Sequence, residues 1–149
     1  MTIRPLLLLA ALAASALTSC EKDNGAAPTQ AALLETRWLL VSVDNFPVAA
    51  SSHSGTSRAY LDFVDLGKCT VGLGPCNNFS GRFSLGSGGQ QLRIAPQIPT
   101  HATCPVQDLE TNYLTNLALT ARYEISGPEL RLYDATAAAP RLVFRRGER

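Results

Sequence analysis

The chain has 149 residues, of which 13 are basic and 12 acidic, and its formal net charge is +1. This balance gives no electrostatic reason to expect nucleic acid or an anionic membrane surface as a partner. The length is that of one domain with a real hydrophobic core. Beyond the N-terminal segment, no apolar run approaches the ~18 residues that a transmembrane helix needs.

The N-terminus is typical of a secretory leader that ends at a lipoprotein cleavage site. Arg4 precedes a mainly apolar segment of 12 residues, positions 6–17, which is too short to span a bilayer and suits the apolar core of a signal peptide. Residues 17–20 (LTSC) then place a small residue directly before a cysteine. We therefore predict a signal peptide over residues 1–19 and lipidation of Cys20, since two or three acyl chains anchor a protein stably.

The segment after Cys20 is polar and has no periodicity. It contains Gly25 and Pro28, and we predict a lipidated flexible tether over residues 20–32 and a folded domain over residues 33–149. Glu21 differs from the Asp that commonly retains lipoproteins in the inner membrane. We therefore expect a protein that is lipid-anchored in the cell envelope, in the outer membrane.

Most of the remaining chain consists of short β-type segments. They are rich in β-branched and aromatic residues and are separated by Gly, Pro, Asn and Ser, a pattern that predicts an antiparallel meander. The predicted strands are residues 37–43, 59–63, 69–73, 79–85, 92–95, 122–125, 129–133 and 141–145.

One segment, residues 105–119, has helical periodicity instead. Pro105 suits a first helical turn, and the acidic Asp108 and Glu110 suit the positive end of the helix dipole. The apolar stripe has steps of 3, 4 and 4 and consists of Val106, Leu109, Tyr113 and Leu117. We predict an α+β fold, in which a curled, mainly antiparallel sheet of seven or eight strands packs with this one amphipathic helix.

Three cysteines remain if Cys20 carries lipid: Cys69, Cys76 and Cys104. Export places them in an oxidising compartment, so one disulfide and one free thiol are expected, and the residues alone permit three pairings. Cys69 lies within a predicted strand, where a cysteine usually behaves as a small buried hydrophobe.

The centre of the chain carries two motifs, residues 74–83 (GPCNNFSGRF) and residues 100–104 (THATC). In this order and spacing they resemble the META domain family, whose bacterial members include a heat-shock lipoprotein. The flanks agree, with Trp38 near the start and a Leu-x-Phe strand at residues 61–63. The resemblance extends from about residue 33 to residue 145, while Pro75 and Cys69 depart from the family pattern.

The resemblance selects the disulfide pairing and the motif residues. It implies a Cys76–Cys104 bond, which encloses 29 residues and is worth about 3–4 kcal/mol. It also implies a link to heat-shock or envelope-stress tolerance. Because the predicted domain, residues 33–149, carries no Gly-x-Ser-x-Gly or Ser-x-x-Lys motif, we predict a non-catalytic envelope domain with no cofactor and no metal. The motif positions are Gly74, Asn77, Asn78, Gly81 and Thr100. Glycine permits sharp bends and asparagine tolerates turn conformations, so the motif is expected to be structural.

Two alternatives belong to other functional classes. One is a thiol enzyme or hydrolase that uses Cys76 or Cys104 with His101 as the activating base. The chain's other histidine, His53, lies in a Ser-rich loop, where a solvated side chain is expected. The other alternative is a subunit or inhibitor that docks on a larger envelope complex through a sheet edge or exposed aromatic residues.

A zinc site is a further possibility, because three cysteines and His101 are the ligand types of structural zinc. The chain has no Cys-x₂-Cys pair, so a disulfide with one free thiol is the better prediction.

Overall fold

The computed structural model describes residues 30–34, 36–48 and 58–147 of the chain. Two α-helices form, α1 at Gln30–Leu34 and α2 at Gln107–Leu119. The first five strands are β1 Arg37–Val43, β2 Phe46–Pro47, β3 Tyr60–Val64, β4 Cys69–Leu73 and β5 Asn78–Leu85. The other five are β6 Leu92–Ile94, β7 Ile98–Pro99, β8 Arg122–Ser126, β9 Glu129–Tyr133 and β10 Leu142–Gly147.

All eight predicted strands are present, with ends shifted by no more than two residues. The two-residue strands β2 and β7 were not predicted, and neither was α1, which includes residues 30–32 of the predicted tether. No helix among the described residues is long and apolar enough to cross a bilayer.

The strands form one antiparallel sheet in the order β6-β5-β4-β3-β1-β10-β9-β8. Its two ends approach each other, because Gln91 bridges Arg122 and the Tyr123 N–H donates to the Gln90 carbonyl over 2.9 Å. The sheet is therefore nearly a barrel. The predicted antiparallel sheet and the predicted helix are both present. The fold is mainly β, however, and has more strands than the seven or eight predicted.

The core lies inside this sheet and against α2. Leu61 and Phe63 of β3 are buried in the core, whereas Tyr60, the first residue of the strand, is only half-buried. Tyr113 of α2 contacts Phe79 and Phe144, with ring centroids 5.6 Å and 6.3 Å apart. The predicted helix stripe is thus oriented correctly, because its last two members, Tyr113 and Leu117, are fully buried.

The antiparallel order places the connections at two opposite rims. Arg37, at the start of β1, lies opposite Asp62 in the middle of β3 and opposite Gly147 at the end of β10. We call this the entry rim; it also carries the β3–β4 turn at residues 65–68 and the β8–β9 turn at residues 127–128. The opposite rim, which we call the motif rim, carries the β1–β2 turn and the β4–β5 connection.

Candidate functional site

The two sequence motifs meet at the motif rim around a buried carboxylate. Glu110 of α2 is 1% exposed, and its two carboxylate oxygens accept hydrogen bonds from the backbone N–H groups of Cys76 and Asn77, over 2.9 Å and 3.2 Å. Burial raises the pKa of the Glu110 carboxyl above its ordinary value, while the two N–H donors oppose that shift. Glu110 thereby fixes the β4–β5 connection to the helix.

Gly74 is required by the same carboxylate. A β-carbon at this position would lie 2.4 Å from Glu110 Oε2, inside any permissible contact distance. The absence of a side chain at position 74 therefore leaves the space that the Glu110 carboxylate occupies. This is a packing reason for the first motif residue.

Asn77 joins the first motif to the second. Its side-chain Oδ1 accepts hydrogen bonds from the Ala102 N–H over 2.8 Å and from Thr100 Oγ1 over 3.0 Å. Its Nδ2 donates to the Ala102 carbonyl over 3.1 Å. The amide thus bonds loop 100–104 as a neighbouring strand would, and Asn77 is itself buried.

A disulfide joins Cys76 to Cys104, as the resemblance implied, with 5.9 Å between their Cα atoms. It links the same two loops that Asn77 bridges. We call Gly74, Cys76, Asn77, Thr100, Cys104 and Glu110 the motif cluster.

The other two motif residues lie on β5. Asn78 is exposed, and its backbone carbonyl accepts a hydrogen bond from the Thr100 N–H over 2.8 Å. A β-carbon at Gly81 would lie 2.3 Å from the side-chain nitrogen of Gln97, and Gln97 Oε1 accepts a 2.7 Å hydrogen bond from Thr70. Gly81 therefore leaves room for a polar side chain that crosses the strand.

A groove of about 410 Å³ lies beside the motif cluster, between loop 99–103 and α2. Asn77 and Glu110 contribute to its wall, but their polar atoms bond the two loops. His101 lines the groove and is exposed. The groove is rich in hydroxyl groups, which belong to Thr100, Thr103, Thr111 and Thr115. Such a surface can hydrogen-bond a polar ligand.

The remaining cysteine lies away from this cluster. Cys69 starts β4, on the entry-rim side, and is a free thiol. The prediction that it is a buried hydrophobe was wrong, because it is half-exposed and its Sγ lies 3.5 Å from the Gly67 carbonyl. Position 69 falls on the outward side of the alternation, whereas its neighbour Thr70 points inward.

The structure does not assemble the alternative zinc ligands. Cys76 and Cys104 are bonded to each other, and the described residues contain no group of three or more His, Cys, Asp or Glu placed to hold a metal ion. Cys20 and His53 lie outside the described residues.

Two residues of the site were missed from the sequence, Glu110 and Gln97. Glu110 was predicted to interact favourably with the positive end of the helix dipole, yet it lies three residues before Tyr113 and seven before Leu117. That spacing places it on the apolar face, which was the available signal. Nothing in the local sequence distinguishes Gln97 from a loop residue.

The fold and the motif cluster define a small, nearly closed β-barrel domain whose rim loops are joined by a disulfide and a buried helix carboxylate. The family model for the META domain matches residues 31–148. The chain therefore belongs to the META domain family, as the resemblance indicated.

Two solved structures have a similar fold. The NMR structure of a protein from Burkholderia xenovorans is 23% identical, with a TM-score of 0.59, and the match covers 78% of this chain and 85% of that one. A second NMR structure is 24% identical, with a TM-score of 0.57, and the match covers 76% and 90% of the two chains. None of the curated proteins matches this chain.

Proposed function

We propose that this protein is a non-catalytic META domain of the bacterial cell envelope. It is held in the outer membrane by lipid on Cys20, and it contributes to tolerance of heat or envelope stress. The proposal that the domain is non-catalytic is supported by the motif cluster, whose candidate reactive groups are already engaged in bonds within the protein. Both carboxylate oxygens of Glu110 accept backbone hydrogen bonds, and Cys76 is bonded to Cys104.

A thiol enzyme would need a thiolate beside a base. In this fold the candidate thiols, Cys76 and Cys104, are oxidised to each other, which leaves His101 without a nucleophile from either of them. The same bonds hold the wall of the threonine-lined groove in place. A rigid, hydroxyl-rich groove suits binding of a polar ligand, because little ordering is needed when the ligand arrives.

The lipid anchor is predicted from the leader and from Cys20. One experiment tests the anchor and the stress function together. A strain that lacks the protein is complemented with wild type, with Cys20→Ser and with Cys69→Ala, and survival after heat and detergent challenge is compared. Wild type and Cys69→Ala should fractionate with the outer membrane and restore survival. Cys20→Ser should be soluble and should not restore it. Membrane fractionation of Cys20→Ser, or full rescue by it, would contradict the proposal.

A second candidate function is docking on a larger envelope complex. Ile98 favours it, because this residue of the short strand β7 is 74% exposed at the side of β5. Ile98→Asp should then abolish co-purification of a partner from solubilised envelopes while leaving the melting temperature unchanged. Co-purification that is insensitive to Ile98→Asp would exclude this surface.

A further inference from the structure

We propose that the entry rim docks on the anionic phospholipid surface of the membrane that carries the lipid anchor. Leu66 inserts into the headgroup region, Arg82 lies beside it and Arg146 lies elsewhere on the same rim, both close to the lipid phosphates. This inference rests on the proposed lipidation of Cys20, and it adds an orientation to that proposal. The motif rim and its groove then face away from the bilayer.

Leu66 is the most exposed large apolar side chain of the described residues, at 89%. It lies in the β3–β4 turn, where Gly67 and Lys68 have φ values of 74° and 50°. Turn positions are usually polar. A leucine that is exposed to solvent here buries almost no apolar surface and so adds little to the stability of the fold. Val64, which precedes the turn, is also exposed and lies on the outward face. Apolar side chains that protrude from a rim are the type that enters a membrane interface.

Within the part of the chain that the structure describes, two unpaired arginines lie on the entry rim, one of them against this turn, although the whole chain is close to neutral. Arg82 Nη1 donates a hydrogen bond to the Gly67 carbonyl over 3.2 Å, which places its guanidinium against the turn. Arg146 lies on the same rim, where its backbone N–H donates to the Pro128 carbonyl over 2.7 Å. Among the residues that the structure describes, neither arginine has a carboxylate partner.

The acidic groups that the structure describes near the rim are already paired. Asp62 accepts a 2.7 Å bond from Arg37, and Asp65 pairs with Lys68 inside the turn. Each of these pairs is neutral, as is the pair of Glu129 with Arg131 beside the β8–β9 turn. Among the described residues, Arg82 and Arg146 therefore give the rim a net positive charge. Arginines at a membrane surface are attracted to anionic lipid headgroups over distances within the Debye length.

The course of the chain brings this rim to the membrane. The Trp38 indole N–H donates to the Leu33 carbonyl over 3.1 Å, and Leu33 is fully buried, so α1 is fixed at the rim where β1 starts. Gln30 lies ten positions after Cys20, and such a segment spans at most about 35 Å. If the chain is anchored at Cys20, this short tether therefore holds the entry rim, where it joins the domain, nearest to the bilayer.

The test uses the full lipidated chain in vesicles that contain phosphatidylglycerol, part of it brominated on the acyl chains. Leu66→Trp places a reporter on the entry rim. Phe46→Trp is the matched control, because Phe46 is 75% exposed beside the β1–β2 turn on the motif rim. The single native tryptophan, Trp38, is fully buried and gives a constant background. Thermal melting confirms that both variants fold.

The expected result is a blue-shifted emission for Leu66→Trp, with bromine quenching at least threefold that of Phe46→Trp. Reversing two charges, with Arg82→Glu and Arg146→Glu, should reduce this quenching by half or more. Equal quenching of the two reporters, or stronger quenching of Phe46→Trp, would overturn the orientation. Quenching that is unchanged by the charge reversals would overturn the assignment to anionic lipid.

The mass of the mature protein shows whether Cys20 carries lipid, and so tests the anchor separately from the orientation of the domain. A chain without acyl groups overturns both the proposed anchor and this orientation. An acylated chain in which Leu66→Trp is no more quenched than Phe46→Trp overturns the orientation alone.

Discussion

The Glu110 carboxylate occupies the space that a side chain at position 74 would need. A β-carbon on Gly74 would lie 2.4 Å from Glu110 Oε2. The helix and the β4–β5 connection therefore depend on each other, since the carboxylate bonds the backbone of Cys76 and Asn77 only where Gly74 admits it. A glycine that appears in the sequence as a turn residue is needed here for close approach.

Gly74→Ala should destabilise the domain. The added methyl group forces the carboxylate or the connection to shift, and overpacking of this kind costs about 1–3 kcal/mol. The measurement is the free energy of unfolding by denaturant. Gly88→Ala is the matched control, because the nearest side-chain atom to its β-carbon would be 3.5 Å away. Equal stabilities for the two variants would contradict the close packing at position 74.

Glu110 should make the stability depend on pH. Burial raises the pKa of its carboxyl in the folded state, so its contribution to stability is complete below its ordinary pKa of 4.5 and is lost as the pH rises through the raised value. Glu110→Gln cannot ionise. The free energy of unfolding of wild type relative to Glu110→Gln should therefore fall as the pH rises above 4.5. A difference that grows with pH would show that the folded-state pKa is lowered instead.

Asn77→Ala should be far more damaging than Asn78→Ala. Asn77 is buried and its amide makes three hydrogen bonds to loop 100–104, whereas the side chain of Asn78 is exposed. A hydrogen bond of this kind contributes about 0.5–1.5 kcal/mol to stability, and Asn77→Ala removes all three. Thermal melting of the two variants provides the comparison. A similar loss in both would mean that the amide does not hold the second motif.

The strands were predictable from the sequence because their signals are local. Alternation and turn residues located eight strands, and the spacing of Tyr113 and Leu117 oriented α2. The two-residue strands β2 and β7 were not predictable, because two residues carry no alternation. Closure of the sheet depends on the bridge between Gln91 and Arg122, which are 31 positions apart, and no local pattern encodes such a pairing.

The candidate site was predictable only in part. The motif resemblance identified the Cys76–Cys104 bond, but it gave no partner for Gly74 or Asn77. Glu110 was misplaced because a carboxylate in the first turns of a helix usually interacts with the dipole at the surface. Its burial is compensated by two backbone donors that are more than 30 positions away in the chain.

Asp134 should stabilise the domain against acid. Hydrogen bonds from the backbone of Thr136 and Ala137, with a further contribution from Arg141, lower the pKa of the Asp134 carboxyl from 3.8 to about 2. Its stabilising effect is complete above its ordinary pKa and is lost as the pH falls through about 2.

Asp134→Asn should therefore lower the melting temperature at neutral pH, and the difference from wild type should disappear below the folded-state pKa. Asp65→Asn is the control, because its pairing with Lys68 is exposed and such pairs contribute little. A difference at Asp134 that persists in strong acid would contradict this account.

The state of the cysteines tests the central claim most directly, because the motif cluster is structural only if Cys76 and Cys104 are bonded. Protein purified from envelopes without reductant is alkylated under denaturing conditions, digested and mapped by mass spectrometry. The account predicts one linked peptide pair, Cys76 with Cys104, and an alkylated Cys69. Cys69 in a disulfide with either partner, or all three cysteines alkylated, would contradict it.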